Sequence, residues 1–350
     1  MYRDVIKKFN EAGYEAYLVG GSVRDMIMGR DIYDYDICTS AMPEEVCGVF
    51  PDGKIFETGI KHGTVTLIYR NTPFEITVFR KEAGYSDHRH PDKVIFGGTL
   101  EEDLVRRDFT MNSICCDGEK FIDLHGGITD IQNRVIRAVG DAEKRFEEDA
   151  LRILRGLRFA CVLGFDIEEK TLAAMKNHAY DIKNVSAERI YAEFKKAAEG
   201  NFFTDTYAKY YDIFKLFIPN SRPVKSIFES ACEAEAALKA LKADKRSIKL
   251  AKDYFTYYNC PPLTLLKNCG RDSAYYICSK RGDTKELEKV LSEGIPYNLS
   301  MLDINGNDIL PLVDDKTKIH GILSYLLDEV SESKLQNKRE TLLKKVVDIL

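Results

Sequence analysis

The spacing of apolar and polar positions changes period several times along this chain. The first eighteen residues, MYRDVIKKFNEAGYEAYL, follow a charged amphipathic helical rhythm. Residues 17–19 then give a short apolar strand that runs straight into Gly20-Gly21-Ser22, and a helical segment carrying Arg24 and Asp25 follows. Ile32, Tyr33, Tyr35 and Ile37 are strand-formers; alternate side chains of a strand share a face, so Asp34 and Asp36 are expected on one side and Tyr35 on the other. Residues 56–69 and 74–79 read as a hairpin turned at Asn71-Thr72-Pro73, and Glu75 points to one face of its strand. Residues 82–94 are polar, rich in turn formers and both signs of charge, which predicts a surface loop. Glu101-Glu102-Asp103 open a helix, where the macrodipole favours acids. Residues 140–165 predict one long helix with a core stripe of Leu151, Leu154 and Leu157; Asp149, Arg152, Arg155 and Arg158 step along another face in threes. Beyond that the chain reads as nearly all helix. Ser186 stands as an N-cap before Glu188 and Arg189, a turn-rich link occupies residues 302–312, and residues 323–350 form two amphipathic helices broken near Ser331.

Composition narrows the picture only a little. With 350 residues, 44% of them hydrophobic, the chain can bury substantial cores and is expected to split into several domains. Its net charge of -5 is not the usual footprint of a nucleic-acid binder, although a global figure can hide a local basic stripe. The amino terminus does not resemble a signal peptide and no apolar run is long enough to span a bilayer, so a cytoplasmic protein is expected. Nine cysteines occur without a C-x-x-C pair. Cys260, Cys269 and Cys278 are evenly spaced, but no His or Cys completes a zinc set, and reduced thiols are the expectation.

The candidate chemistry lies in two places. Two carboxylates on one strand face repel each other, and a hard, oxygen-loving cation such as Mg²⁺ would relieve them. The Gly20-Gly21 turn before a helix offers backbone N–H groups to phosphate. In the 140–165 helix, three arginines on one face leave an excess of positive charge suited to polyphosphate or an RNA backbone; a solvated, salt-bridged helix surface would give the same pattern. The ridge of Lys239, Lys242, Lys245, Arg246, Lys249 and Lys252, followed by an aromatic patch, stands equally open between a solvated face and contact with RNA phosphates.

Taken in order, Gly20-Gly21, Val23-Arg24-Asp25, Gly29, Asp34-Tyr35-Asp36 and Thr39 resemble the head signature of class II tRNA nucleotidyltransferases, the CCA-adding enzymes and their bacterial poly(A) polymerase relatives. Further matches are Tyr85, Asp87, Arg89 and Pro91 in the polar loop (with His90 where the family has a second Arg), Arg106-Arg107-Asp108, and Glu148-Asp149-Ala150-Leu151-Arg152. The resemblance implies an α+β fold: a polymerase-β-like nucleotidyltransferase head with a mixed β-sheet over residues 1–136, then an all-helical neck over 137–200, body over 201–270 and RNA-binding tail over 271–350. It implies Asp34 and Asp36 as ligands of two Mg²⁺ ions with Glu75 as a helper. Gly21, Arg24, Arg107, Asp149, Arg152, Arg155 and Arg158 are implied as nucleotide-binding residues, and Glu188 and Arg189 as structural ones. The implied reaction adds C, C and A to the 3′ end of tRNA from CTP and ATP, releasing pyrophosphate, with the tRNA acceptor arm along the helical part.

The implied base reader has a physical logic. A carboxylate only accepts hydrogen bonds and a guanidinium only donates them. Cytosine and adenine both present an amino donor beside a ring-nitrogen acceptor, which suits Asp149 next to Arg152. Uracil and guanine reverse both groups, and each buried conflict costs about 1–3 kcal/mol. An A-adding enzyme working with a separate CC-adding enzyme and a bacterial poly(A) polymerase are the near rivals. A catalytically silent RNA-binding module is the rival of a different class.

Overall fold

The computed structural model describes residues 1–83, 93–218, 221 and 230–350. The polar loop with Tyr85, Asp87, Arg89, His90 and Pro91 therefore lies outside the described residues. The chain divides into two compact units, Met1–Ile227 with Ala240–Lys242, and Phe228–Lys239 with Ala243–Leu350.

The described residues of the first unit include β1 (Ala16–Val19), β2 (Tyr35–Thr39), β3 (Lys54–Phe56), β4 (Thr64–Tyr69), β5 (Thr72–Val78), β6 (Arg80–Ala83), β7 (Lys93–Phe96), β8 (Ile114–Cys116) and β9 (Phe121–Asp123), with a short parallel pair, β10 (Val135–Ile136) and β11 (Asp166–Ile167). Seven of them form a mixed sheet in the order β3-β4-β5-β2-β1-β8-β9, while β6 and β7 pair separately. The β2–β5 pair is parallel and puts Asp36 beside Glu75, while the remaining neighbours are antiparallel. Period-two alternation sorts the faces: Val65, Leu67, Phe74, Ile76 and Val78 are buried on one side, and Thr64, Thr66, Glu75 and Thr77 occupy the other. The β4–β5 hairpin turns at Arg70-Asn71, both with positive φ, not at Asn71-Thr72-Pro73 as expected. That primed geometry matches the strand twist, and it lets Thr72 and Pro73 enter β5.

Helices α1 (Tyr2–Glu11), α2 (Gly21–Ile27), α3 (Pro43–Val49), α4 (Leu100–Val105) and α5 (Gly127–Gln132) pack about the sheet. They are followed by α6 (Ala142–Glu148), α7 (Leu151–Leu163), α8 (Glu169–Asn177), α9 (Ala187–Ala198), α10 (Phe203–Lys209) and α11 (Tyr211–Phe214). The single helix expected over 140–165 is thus two helices. Asp149 sits at the break in extended conformation (φ -152°, ψ 106°), and its Oδ1 accepts from the Leu151 N–H at 3.0 Å. An aspartate that caps the following turn competes with helix continuation, which is why the pattern breaks there. Ser186 precedes α9 by position but makes no side-chain cap bond.

The second unit is helical: α12 (Ala231–Ala240, whose last residue falls in the first unit), α13 (Lys245–Tyr257), α14 (Pro262–Arg281, kinked at Gly270), α15 (Thr284–Ser292), α16 (Gly306–Ile309), α17 (Ile319–Ser331) and α18 (Arg339–Ile349). One core gathers Leu265, Leu266, Ala274, Ile277 and Leu287, with Cys269 and Cys278 buried in it; another gathers Ile304, Ile309, Leu326, Leu342 and Val346. In the basic ridge Lys239 and Lys252 pair with Glu235, Arg246 with Asp272, and Lys249 with Asp253, while Lys242 pairs with Glu188 within the first unit. That pattern is what a solvated, salt-bridged surface requires. Among the described residues no helix is long and apolar enough to cross a membrane.

Candidate active site

Gly20 starts the site. It holds φ +72°, a conformation L side chains rarely adopt, and a Cβ there would stand 3.1 Å from Arg107 Nη1. This lets β1 turn directly into α2, whose first turn faces a cavity of about 620 Å³. Eight arginines (Arg24, Arg80, Arg106, Arg107, Arg152, Arg155, Arg158 and Arg189) line that cavity against three aspartates, Asp36, Asp108 and Asp149. An acidic chain has therefore concentrated positive charge in one recess, which suits a polyanion.

Asp36 enters from β2. Burial raises its pKa first, and the negative charges of Glu75 and Asp34 push in the same direction, against Arg107. The three carboxylates expected to work together are therefore electrostatic neighbours. Only Asp36 lines the cavity; Asp34 and Glu75 are exposed, and Asp34 lies one residue before the start of β2 rather than within it. Its backbone carbonyl accepts from Ser22 Oγ at 2.7 Å, which ties it to α2. The described residues contain no group of three or more His, Cys, Asp or Glu side chains placed to hold a metal ion. Two oxygen-donor side chains, one of them with a carboxyl pKa raised by burial and by its acidic neighbours, still fit Mg²⁺, which takes one or two carboxylates and fills its other positions with water and substrate phosphate.

The arginines are held by ion pairs with buried carboxylates. Asp103, fully buried in α4, receives Arg106 Nη2 at 2.6 Å on Oδ1 and Arg107 Nη2 at 3.0 Å on Oδ2. Burial raises the Asp103 pKa first, but Arg107 and Arg106 outweigh it and the net direction is down. The two adjacent arginines converge because α4 ends at Val105 and one carboxylate serves positions i+3 and i+4. Asp108 joins a second network: Arg155 Nε donates to it at 2.6 Å, Asn112 Nδ2 at 3.2 Å and the Phe109 N–H at 2.8 Å. Burial again acts first, upward, and these donors bring the Asp108 pKa down. Asn112 Oδ1 accepts from Arg24 Nη1 at 2.9 Å, so Asn112 bridges Arg24 to Asp108.

The helix break turns Asp149 into the same cavity. Its Oδ2 accepts from Arg189 Nη2 at 2.9 Å. Arg189, which the resemblance implies is structural, lines the same cavity and holds Asp149 there; the partners are 40 positions apart, so nothing local announces the contact. Arg152 is buried and donates from Nη1 to Glu148 Oε2 (2.6 Å) and the Arg145 carbonyl (3.0 Å), and from Nη2 to the Arg106 carbonyl (3.1 Å). Three of its five N–H donors are used, which leaves Nε and one hydrogen on Nη2. Arg158 ion-pairs with Glu193 at 3.0 Å and lies 4.2 Å over the Phe159 ring; burial lowers its pKa, with Glu193 opposing. Gly21, Arg24, Arg107, Asp149, Arg152, Arg155 and Arg158 thus line one cavity together with Asp36.

Two family matches cover parts of the chain: the poly A polymerase head domain over residues 16–137, and the probable RNA and SrmB-binding site of polymerase A over residues 164–211. A CCA-adding enzyme of Lactobacillus helveticus is 51% identical over 197 residues, 56% of this chain and 49% of that protein. In such matches the chain spans about half the length of the curated relatives. A CCA-adding enzyme of Staphylococcus saprophyticus is 35% identical over 357 aligned positions, 90% of this chain and 89% of that protein. Among solved structures, the Bacillus stearothermophilus CCA-adding enzyme in complex with CTP superposes with a TM-score of 0.83 at 28% identity, covering 99% of this chain and 96% of the other. A Thermotoga maritima CCA-adding enzyme complexed with tRNA shares the fold, with a TM-score of 0.67 at 19% identity over 100% of this chain and 95% of the other.

Proposed function

We propose, since the chain belongs to the CCA-adding enzyme family, that it extends the 3′ end of tRNA by C, C and A, taking CTP and ATP and releasing pyrophosphate. What supports this reading is one recess that combines a carboxylate whose pKa is raised by burial and by its acidic neighbours, eight arginines and an Asp149–Arg152 pair. Asp34 and Asp36 would hold two Mg²⁺ ions, with Glu75 adding negative charge beside them. When bound, the ions supply Lewis-acid activation of the RNA 3′-hydroxyl and charge neutralisation at the departing pyrophosphate.

The chain's own residues do the rest. The first turn of α2 directs the Gly21 N–H toward the triphosphate, and Arg24, fixed by Asn112, balances its charge. Arg107, anchored on Asp103, and Arg155, anchored on Asp108, add positive charge without being free to swing away. Asp149 Oδ1 is committed to the Leu151 N–H, so Oδ2 is the atom that accepts from an incoming amino group while Arg189 keeps it oriented. The donors left on Arg152 meet the ring nitrogen beside that amino group. Cytosine and adenine satisfy both contacts. Uracil and guanine leave two conflicts of about 1–3 kcal/mol each, which corresponds to roughly 30-fold or more against them.

The deciding experiment supplies the purified protein with tRNA ending at its discriminator base, CTP and ATP. Ordered addition of CCA is expected. A product with no cytidine would overturn the reading in favour of an A-adding partner enzyme, and long adenosine tails would favour a poly(A) polymerase.

A further inference from the structure

A second cavity, of about 530 Å³, adjoins the first: Arg24, Arg158 and Phe159 line both. It extends past the end of α2 to Arg30, and along the last turn of α9, which carries Lys196, to Glu199 just beyond that helix. Its four cations differ in kind. Arg24 is committed to Asp25 and Asn112, and Arg158 to Glu193. Arg30 and Lys196 pair with no carboxylate among the described residues, although Asp25 and Glu199 share the cavity with them. Phe159, Val162 and Leu163 give the wall an apolar stretch, and Gly200 and Asn201 complete it. Three residues beyond Arg30, and immediately before Asp34, Tyr33 stands 81% exposed, the most exposed of the large hydrophobic side chains among the described residues.

We propose that this cavity and the segment joining α2 to β2 form the seat for the last nucleotides of the RNA strand, the phosphodiesters facing Arg30 and Lys196 and a base stacking on Tyr33. The inference rests on the proposed activity and adds residues to it. Single-stranded nucleic acid is gripped by cations tracking the backbone, interleaved with aromatic faces for the bases. Unpaired Arg30 and Lys196, an apolar wall and a bare tyrosine supply both parts, and the segment ends at the carboxylate implicated in activating the terminal hydroxyl. Inorganic pyrophosphate, leaving by the same route, would be a poorer occupant: it is a dense anion with nothing to place against Phe159, Val162 and Leu163.

The test is direct binding of a fluorescently labelled tRNA transcript to the full chain without nucleotide, alongside steady-state addition of CMP and inhibition by inorganic pyrophosphate. The variants are Arg30→Ala with Lys196→Ala, the conservative Arg30→Lys with Lys196→Arg, and Tyr33→Ala. All three positions lie on the surface or cavity rim, and thermal unfolding checks that the fold persists. Loss of two phosphate contacts should flatten the slope of log K against log salt by about 1.4, which at 0.15 M salt is roughly tenfold in RNA affinity. Tyr33→Ala should weaken RNA binding about fivefold or more without changing the salt slope. KM for CTP and inhibition by pyrophosphate should stay as in the parent, and the conservative pair should restore binding. Unchanged RNA affinity in the alanine variants overturns the proposal, and weakened pyrophosphate inhibition with intact RNA binding reassigns the cavity to product exit. A parent protein that binds RNA through these residues but adds no nucleotide would instead refute the proposed activity and leave this seat standing.

Discussion

Replacing Asp103 with asparagine removes one negative charge from beneath two cavity arginines and changes almost no volume. Arg106 and Arg107 each place a guanidinium nitrogen within 2.6–3.0 Å of the Asp103 carboxylate, whose side chain is fully buried. The arginine side chains keep 16% and 19% of their exposure, so little water is available to replace the lost partner. Breaking a buried pair by removing one partner costs about 3–5 kcal/mol, and here one partner serves two cations. Urea unfolding of D103N, followed through the transition of the first unit, should therefore lose about 3–5 kcal/mol relative to the parent. The pH dependence has a defined sign. The folded Asp103 pKa lies below its ordinary value, so its stabilising contribution is complete above about pH 4, the unfolded value, and is lost as pH falls through the lower folded value. The gap between parent and D103N should hold steady from pH 7 to 5 and close only in stronger acid. KM for CTP should rise because Arg107 loses its anchor. Equal stability of the two proteins at pH 7, with unchanged KM, would refute the idea that Asp103 holds these arginines.

Two further outcomes follow from the same geometry. The folded Asp36 pKa is raised, so protonation favours the fold: its contribution is fully present below about pH 4 and is lost as pH rises through the folded value. Without added metal, D36N should thus equal or exceed the parent in thermal stability at pH 7 while losing nucleotide addition, and Mg²⁺ with CTP should raise the melting temperature of the parent alone; a D36N protein less stable than the parent at pH 7 would contradict the repulsion. A Cβ on Gly127 would fall 2.2 Å from the Thr110 carbonyl oxygen and 2.9 Å from Ile114, so G127A should lose at least about 1–3 kcal/mol by urea unfolding, and a neutral result would mean that α5 can shift freely against the turn at Thr110.

What could be read from the chain was local in sequence. The strand, diglycine and helix around Gly20-Gly21 and Arg24 follow one another within eight residues, so spacing alone orders them. The Asp149–Arg152 pair was legible for the same reason. Its setting was not: a leucine stripe reads through the break at Asp149, although an aspartate two residues before Leu151 is itself a capping signal. Asp103 with Arg106 and Arg107 was open to discovery at i+3 and i+4, but only with knowledge that α4 stops at Val105. Arg155–Asp108 and Arg189–Asp149 were beyond reach, because their partners lie 47 and 40 residues apart and meet only when α7 and α9 pack onto the head. Asp34 shows the opposite error. Strand-forming neighbours suggested a place inside β2, whereas Tyr35 begins the strand and Asp34 is held from outside it by Ser22.

A recess crowded with guanidinium groups, carried by a chain whose balance is negative, changes which RNA molecules can stay bound. At physiological salt the field fades over about 8 Å, so a duplex held outside the recess gains little from the guanidinium groups within it. A loose terminus can thread inward and trade its counterions for fixed cations. Depth of entry thereby becomes a sieve for strand ends, operating before any base is examined.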